Sequence, residues 1–251
     1  MAKINLVLSG GGARGIAHLG AIKALLEYGI ELNQIAGVSA GSIMGAMIAN
    51  GFSPDDALKI LCEQKLFSLF NPVFRRGVFS MQGLEKGLNK YLSHKTFDTL
   101  DIPLTIYATC VQSGQSVAFS KGDLIKSIVA SSSIPGLFEP TIIDGQQYID
   151  GGVINNLPIE PFIDLPEPIV AIHVNPPYTA HNLTSTLKVM SRVVELIAYN
   201  SIERRQFQAA VFIEPPQLKN FAIHDLRRAK EIFQVGYDYT KSMENQIKTI
   251  L

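Results

Sequence analysis

Residues Val7 to Gly20 read VLSGGGARGIAHLG. A β-like apolar run leads into Gly10, Gly11, Gly12 and Gly15, with Arg14 between them, and then into a helix-like tail. Gly10, Gly12 and Gly15 satisfy G-x-G-x-x-G, the fingerprint of dinucleotide sites. That reading needs an acid at the end of the second strand, about 20 residues on, to hold the ribose. The second strand, QIAGVS (Gln34 to Ser39), ends in Val38-Ser39, and Glu31 lies before it. No G-K-[ST] follows the glycines, so a P-loop is excluded as well. A glycine run can also turn successive N–H groups toward a transient oxyanion.

The strand on each side of this loop sets the expected architecture. Ile4 to Ser9 is a continuous apolar run, as expected of a strand covered on both faces. A helix follows from about Ile16 to Tyr28, closed by Gly29 at its C′ position. Gln34 to Ser39 is the next strand, and Ala40 to Asn50 the next helix. Ser53-Pro54-Asp55-Asp56 then starts another, with a capping serine, proline at the first position and acids against the dipole. Ser113-Gly114 and Asp144-Gly145 mark turns between strand pairs. PIVAIHV and AAVFIEP are late strands, with an amphipathic helix from about Thr184 to Gln208 between them. Leu226, Ala229, Phe233, Gly236, Thr240, Met243 and Ile247 fall on one final helical face. Strand and helix alternate throughout, which predicts a single α/β domain over residues 1–251.

The chain has 251 residues, 47% of them hydrophobic, enough for a substantial core. Its 22 basic and 22 acidic side chains balance. This gives no basic face for a nucleic-acid partner. A membrane contact would therefore rest on apolar surface more than on charge. Cys62 and Cys110 are too few for a disulfide framework and lack metal spacing. Both are expected to be small buried side chains. The run Ile4 to Leu8 is too short for a signal peptide. A cytoplasmic protein, with peripheral membrane contact compatible, is the expectation.

GVSAG, Gly37 to Gly41, matches G-x-S-x-G in the strand–turn–helix context that a nucleophile elbow requires. Glycines flank the turn because side chains would clash there, and the following helix aims its N-terminal N–H groups at the serine. A histidine partner is hard to find among His18, His173, His181 and His224, and only one strand precedes Ser39, unlike an α/β-hydrolase. YIDGG leaves Asp150 at a strand end before Gly151 and Gly152, where a carboxylate can approach another loop. Desolvation beside an acyl group would raise its proton affinity.

GGGARG, GVSAG, ASSSIPGLFEP and DGG, in this order, resemble the patatin-like phospholipases over about the first 160 residues. The resemblance implies a three-layer α/β/α fold with a mainly parallel central sheet. It implies a Ser39–Asp150 dyad, an oxyanion hole from Gly10, Gly11, Gly12 and Gly15 with Arg14 supporting it, and Gly37, Gly41, Gly151 and Gly152 as supporting glycines. It further implies lipid acyl esters as substrates, with no metal and no cofactor. A non-catalytic lipid-binding or regulatory protein, or an esterase, thioesterase or acyltransferase on the same dyad, are the alternatives.

Several residues carry two readings. Arg14 contacts an anion or braces the glycine loop. His18 is read as a hydrogen-bonded structural histidine. Ser131 to Ser133 end a helix, and the family reading makes SSSIPGLFEP a wall of the site. Asn155 and Asn156 orient the aspartate turn or cap the next helix. Leu66 to Phe79, with Phe67, Phe70, Phe74 and Phe79 beside Arg75-Arg76, reads as a lipid-docking flap or as core.

Overall fold

The computed structural model describes residues 2–63, 80–181, 183–202 and 205–251. The aromatic stretch Leu66 to Phe79 lies outside the described residues. Eight strands form one sheet: β1 (Lys3–Leu8), β2 (Glu31–Val38), β3 (Leu104–Cys110), β4 (Gln115–Phe119), β5 (Thr141–Ile143), β6 (Gln146–Asp150), β7 (Ile169–Ile172) and β8 (Val211–Ile213). The order is β5-β6-β3-β2-β1-β7-β8, with β4 also on β3. β3, β2, β1, β7 and β8 run parallel. β4 and β6 run antiparallel to β3.

Strand periodicity divides the core in two. Ile4, Leu6 and Leu8 face one side with Ile35, Ile106, Val170 and Ile172. Val7, Ala36, Val38, Tyr107, Ile169 and Ala171 face the other. The first side is covered by α1 (Ile16–Glu27), α2 (Ala40–Ala49), α3 (Pro54–Glu63), α4 (Gln82–Tyr91), α5 (Leu124–Ser131) and α7 (Ala229–Ser242). The second is covered by Leu157, Ile159 and Phe162 and by Ile202, which follows α6 (Thr186–Asn200). This is the expected mainly parallel sheet between helical layers.

Three readings change. The final helical face is interrupted at Met243, between α7 and the single turn Glu244–Ile247. Cys62 is exposed near the end of α3, while Cys110 is buried. The long helix shrinks to Thr186–Asn200, and Val189, Met190, Val193, Leu196 and Ile197 on it are exposed. No helix among the described residues is long and apolar enough to cross a membrane.

The feature that makes the site is the edge that β3 shares. Leu104 to Tyr107 pair with β2, and Ala108 to Cys110 pair with β6. β4 spans both segments on the opposite edge. β2 and β6 therefore lie end to end along one edge of β3. Val38 is opposite Tyr107, and Asp150 is opposite Ala108, the next rung. The residue after Val38 is Ser39.

Candidate active site

Ser39 sits between β2 and α2 with φ 50° and ψ −121°, one of two non-glycine residues at positive φ among the described residues. Such a conformation is strained, and it persists only where its surroundings fix it. Here the fixing is visible. The Ser39 N–H donates to Ser131 Oγ at 2.8 Å, and Ser131 Oγ donates to the Tyr107 carbonyl at 2.6 Å. The Ser39 carbonyl accepts from Ser42 Oγ and from the Ser42 and Ile43 N–H groups. Helix and strand cross too closely for side chains: a Cβ on Gly41 would stand 2.3 Å from the Leu8 carbonyl, and one on Gly37 2.7 Å from that of Gly41.

Asp150 is held as firmly. Its N–H donates to the Ser133 carbonyl, and its carbonyl accepts from Thr109 Oγ1. Its carboxylate accepts the Gly152 N–H at 2.8 Å and caps the single turn Gly151–Val153. Gly151 lies against the Tyr107 carbonyl, where a Cβ would clash at 2.2 Å. Burial pushes the carboxyl up to about 6, while hydrogen bonds from Ser39 and Gly152 draw it partly back. Ser39 and Asp150 are each 7% exposed, so the pair is dry yet reachable.

The glycine loop differs from expectation in detail. The Gly10 N–H is taken by Asn156 Oδ1 at 2.9 Å. Gly15 is a packing glycine, since a Cβ there would meet Ala40 Cβ at 2.5 Å. The Arg14 guanidinium points elsewhere: Nε donates to the Phe221 carbonyl at 2.8 Å and Nη1 to Asn175 Oδ1 at 3.2 Å. Asn175 Nδ2 donates to the Gly10 carbonyl at 3.0 Å. Arg14 is thus a buried brace for the loop, which is the second of its two readings. Among the described residues, Gly11 and Gly12 keep N–H groups without a partner. They are the remaining loop donors for an oxyanion.

Neither buried histidine serves the pair. His18 Nε2 bonds the Ser9 carbonyl at 2.9 Å, and burial drops its proton affinity to about 4. His173 Nδ1 bonds Glu214 Oε1 at 2.7 Å, and burial again lowers it. Among the described residues, no cluster of three His, Cys, Asp or Glu side chains could hold a metal ion. Asn156 clamps Gly10, Asn155 Nδ2 bonds Glu160, and the Asn156 N–H reaches Ser201 Oγ past the end of α6. Asn175 carries no sequence signal; only the fold shows its role.

The family model described as patatin-like phospholipase matches residues 6–163. An uncharacterised NTE family protein of Mycobacterium tuberculosis is 35% identical over 162 residues, covering 63% of this chain and 45% of that protein. Lysophospholipase NTE1 of Kluyveromyces lactis is 29% identical over 273 residues, covering 94% of this chain and 19% of that one. The chain thus spans less than half the length of these curated relatives. Among solved structures, VipD from Legionella pneumophila superposes over 99% of this chain and 67% of its own, with TM-score 0.64 and 15% identity. The type III effector protein ExoU does so over 99% and 53%, with TM-score 0.53 and 16% identity. With the family model spanning more than half of its length, this chain belongs to the patatin-like phospholipase family.

Proposed function

We propose that the protein is a serine acyl hydrolase of phospholipids or lysophospholipids, with Ser39 as nucleophile and Asp150 as base. The observation that carries this is the pairing of a strained, clamped serine with a buried carboxyl whose proton affinity lies near 6. A general base works best with a pKa close to the working pH. The Asp150 carboxylate takes the Ser39 proton as Oγ attacks the ester carbonyl. The resulting oxyanion is met by the Gly11 and Gly12 N–H groups. Protonated Asp150 returns the proton to the leaving alcohol; it then takes a proton from water as that water attacks the acyl carbon, and passes it to Ser39 Oγ as the C–Oγ bond breaks and the fatty acid leaves. The name of the Kluyveromyces lactis relative supports lysophospholipids as the first class to assay.

The test is labelling by a fluorophosphonate probe, wild type beside Ser39→Ala. Label is expected on the wild type alone. Equal labelling of both, or none on a folded wild type, overturns the proposal.

A further inference from the structure

Asn156 uses only one end of its side chain. Its Oδ1 accepts the Gly10 N–H at 2.9 Å, while Nδ2 has no hydrogen-bond partner among the described residues. The bond to Gly10 fixes which end of the amide is oxygen, so both side-chain N–H donors lie at the other end. Asn156 is 2% exposed, and a donor held this far inside is normally paired. It is not sealed in the core either. Unlike His18 Nδ1 or Ser132 Oγ, it keeps an accessible edge.

The amide borders both members of the dyad. A Cβ placed on Gly10 would meet Asn156 Oδ1 at 2.7 Å and Ser39 Cβ at 3.1 Å. One placed on Gly152 would meet Asn156 Oδ1 at 2.9 Å and Asp150 Oδ1 at 3.1 Å. The Asp150 carboxyl does not use Nδ2, since its hydrogen bonds come from Ser39 and Gly152. The amide is also held in place from behind. The Asn156 N–H donates to Ser201 Oγ at 3.0 Å, and Ser201 Oγ donates to the Ala198 carbonyl at 2.8 Å. Gly10, which the amide holds, leads directly into Gly11 and Gly12 with their unpaired N–H groups.

We infer that Asn156 Nδ2 is a third donor to the oxyanion, beside the Gly11 and Gly12 N–H groups. The inference rests on the acyl hydrolase reading. A carboxamide suits the task. It is neutral, so it places no charge beside the resting pair, and its hydrogen bond strengthens as the carbonyl oxygen becomes an anion. Fixed donors of this kind act without reorganising at the moment of reaction. An oxyanion forms when Ser39 attacks the ester and again when water attacks the acyl enzyme, so one amide serves both steps. A clamp for Gly10 alone would use Oδ1 and leave Nδ2 idle.

The test has two parts. Asn156→Asp keeps an oxygen for the Gly10 N–H and removes both Nδ2 donors. Its kcat on a soluble short-chain ester is expected to fall about 10²–10³-fold with KM little changed. The added carboxylate raises the proton affinity of Asp150, so rates are compared on the plateau at high pH. Asn156→Ala adds no charge and is expected to lose kcat as well; it stands in should the aspartate variant not fold. The second part is a crystal structure of the wild type with a trifluoromethyl ketone added to Ser39, whose oxygen takes the place of the oxyanion. Nδ2 is expected about 2.7–3.1 Å from that oxygen. A plateau kcat equal to wild type in either variant overturns the inference. So does an adduct oxygen out of reach of Nδ2, whatever the kinetics. A wild type that forms no adduct and takes no fluorophosphonate label removes the hydrolase reading, and this inference with it.

Discussion

Asp150 is the residue whose environment says most. Its carboxyl is raised from 3.8 to about 6, chiefly by burial. The proposed role as base requires it ionised, so turnover of a soluble ester should rise with pH through about 6 and level off above. The same shift costs stability. A carboxyl with a raised folded-state pKa favours the fold fully below 3.8 and loses that benefit as pH rises through 6. With the carboxyl moved from 3.8 to about 6, the loss amounts to about 3 kcal/mol at pH 7.5. Asp150→Asn keeps the acceptor for the Gly152 N–H but carries no charge. It should lower kcat by about 10²–10⁴-fold. In denaturant melts it should be more stable than wild type at pH 7.5, with the gain gone near pH 4. Ser39 and Asp150 were both legible in the sequence because glycines bracket them. Their clamps were not, since Ser131 meets Ser39 and Thr109 meets Asp150 only through the fold.

At the level of elements, the glycine loop is held by side chains from far along the chain. Asn156 takes the Gly10 N–H, and Arg14 reaches the Gly10 carbonyl through Asn175. The two supports should fail differently. Asn156→Ala leaves the loop's scaffold in place but frees Gly10 beside Ser39. It is expected to reduce kcat by about tenfold or more with little change in KM. Arg14→Lys loses the fork that spans Phe221 and Asn175. It is expected to cost about 1–3 kcal/mol in a denaturant melt. Assigning Arg14 to an oxyanion was natural from a motif that places it among glycines. Its buried route to Phe221 depends on a segment two hundred residues away. Element type was legible wherever periodicity or a turn signal was strong, as at β1, α1 and the Asp144-Gly145 turn. The outward face of α6 was not, because an amphipathic pattern names a stripe without saying which side the protein covers.

For the whole molecule, acid pulls in two directions. His18 is neutral in the fold, with its pKa lowered from 6.5 to about 4 by burial. A lowered folded-state pKa gives stability that is present above 6.5 and lost as pH falls through 4. His173 is shifted the same way by burial. Asp150 works oppositely over nearly the same interval. Wild-type stability should therefore change little between pH 6 and 4. Asp150→Asn should lose about 3 kcal/mol there, exposing the histidine contribution; melts at half-unit steps of pH would resolve it. Fold class followed from strand and helix alternating along the chain, and the three layers from the family resemblance. The insertion of β6 beside β2 did not, since pairing partners leave no local mark in a sequence. That insertion also limits how the site can vary. Side chains alternate faces along a strand, so sliding β6 by one residue would turn Asp150 through the sheet, and sliding it by two would carry it about 7 Å away. The separation of Ser39 and Asp150 is thus countable in whole residues. Substitutions nearby can tune a proton, but an insertion or deletion within Gln146 to Asp150 is expected to carry the carboxylate away from Ser39.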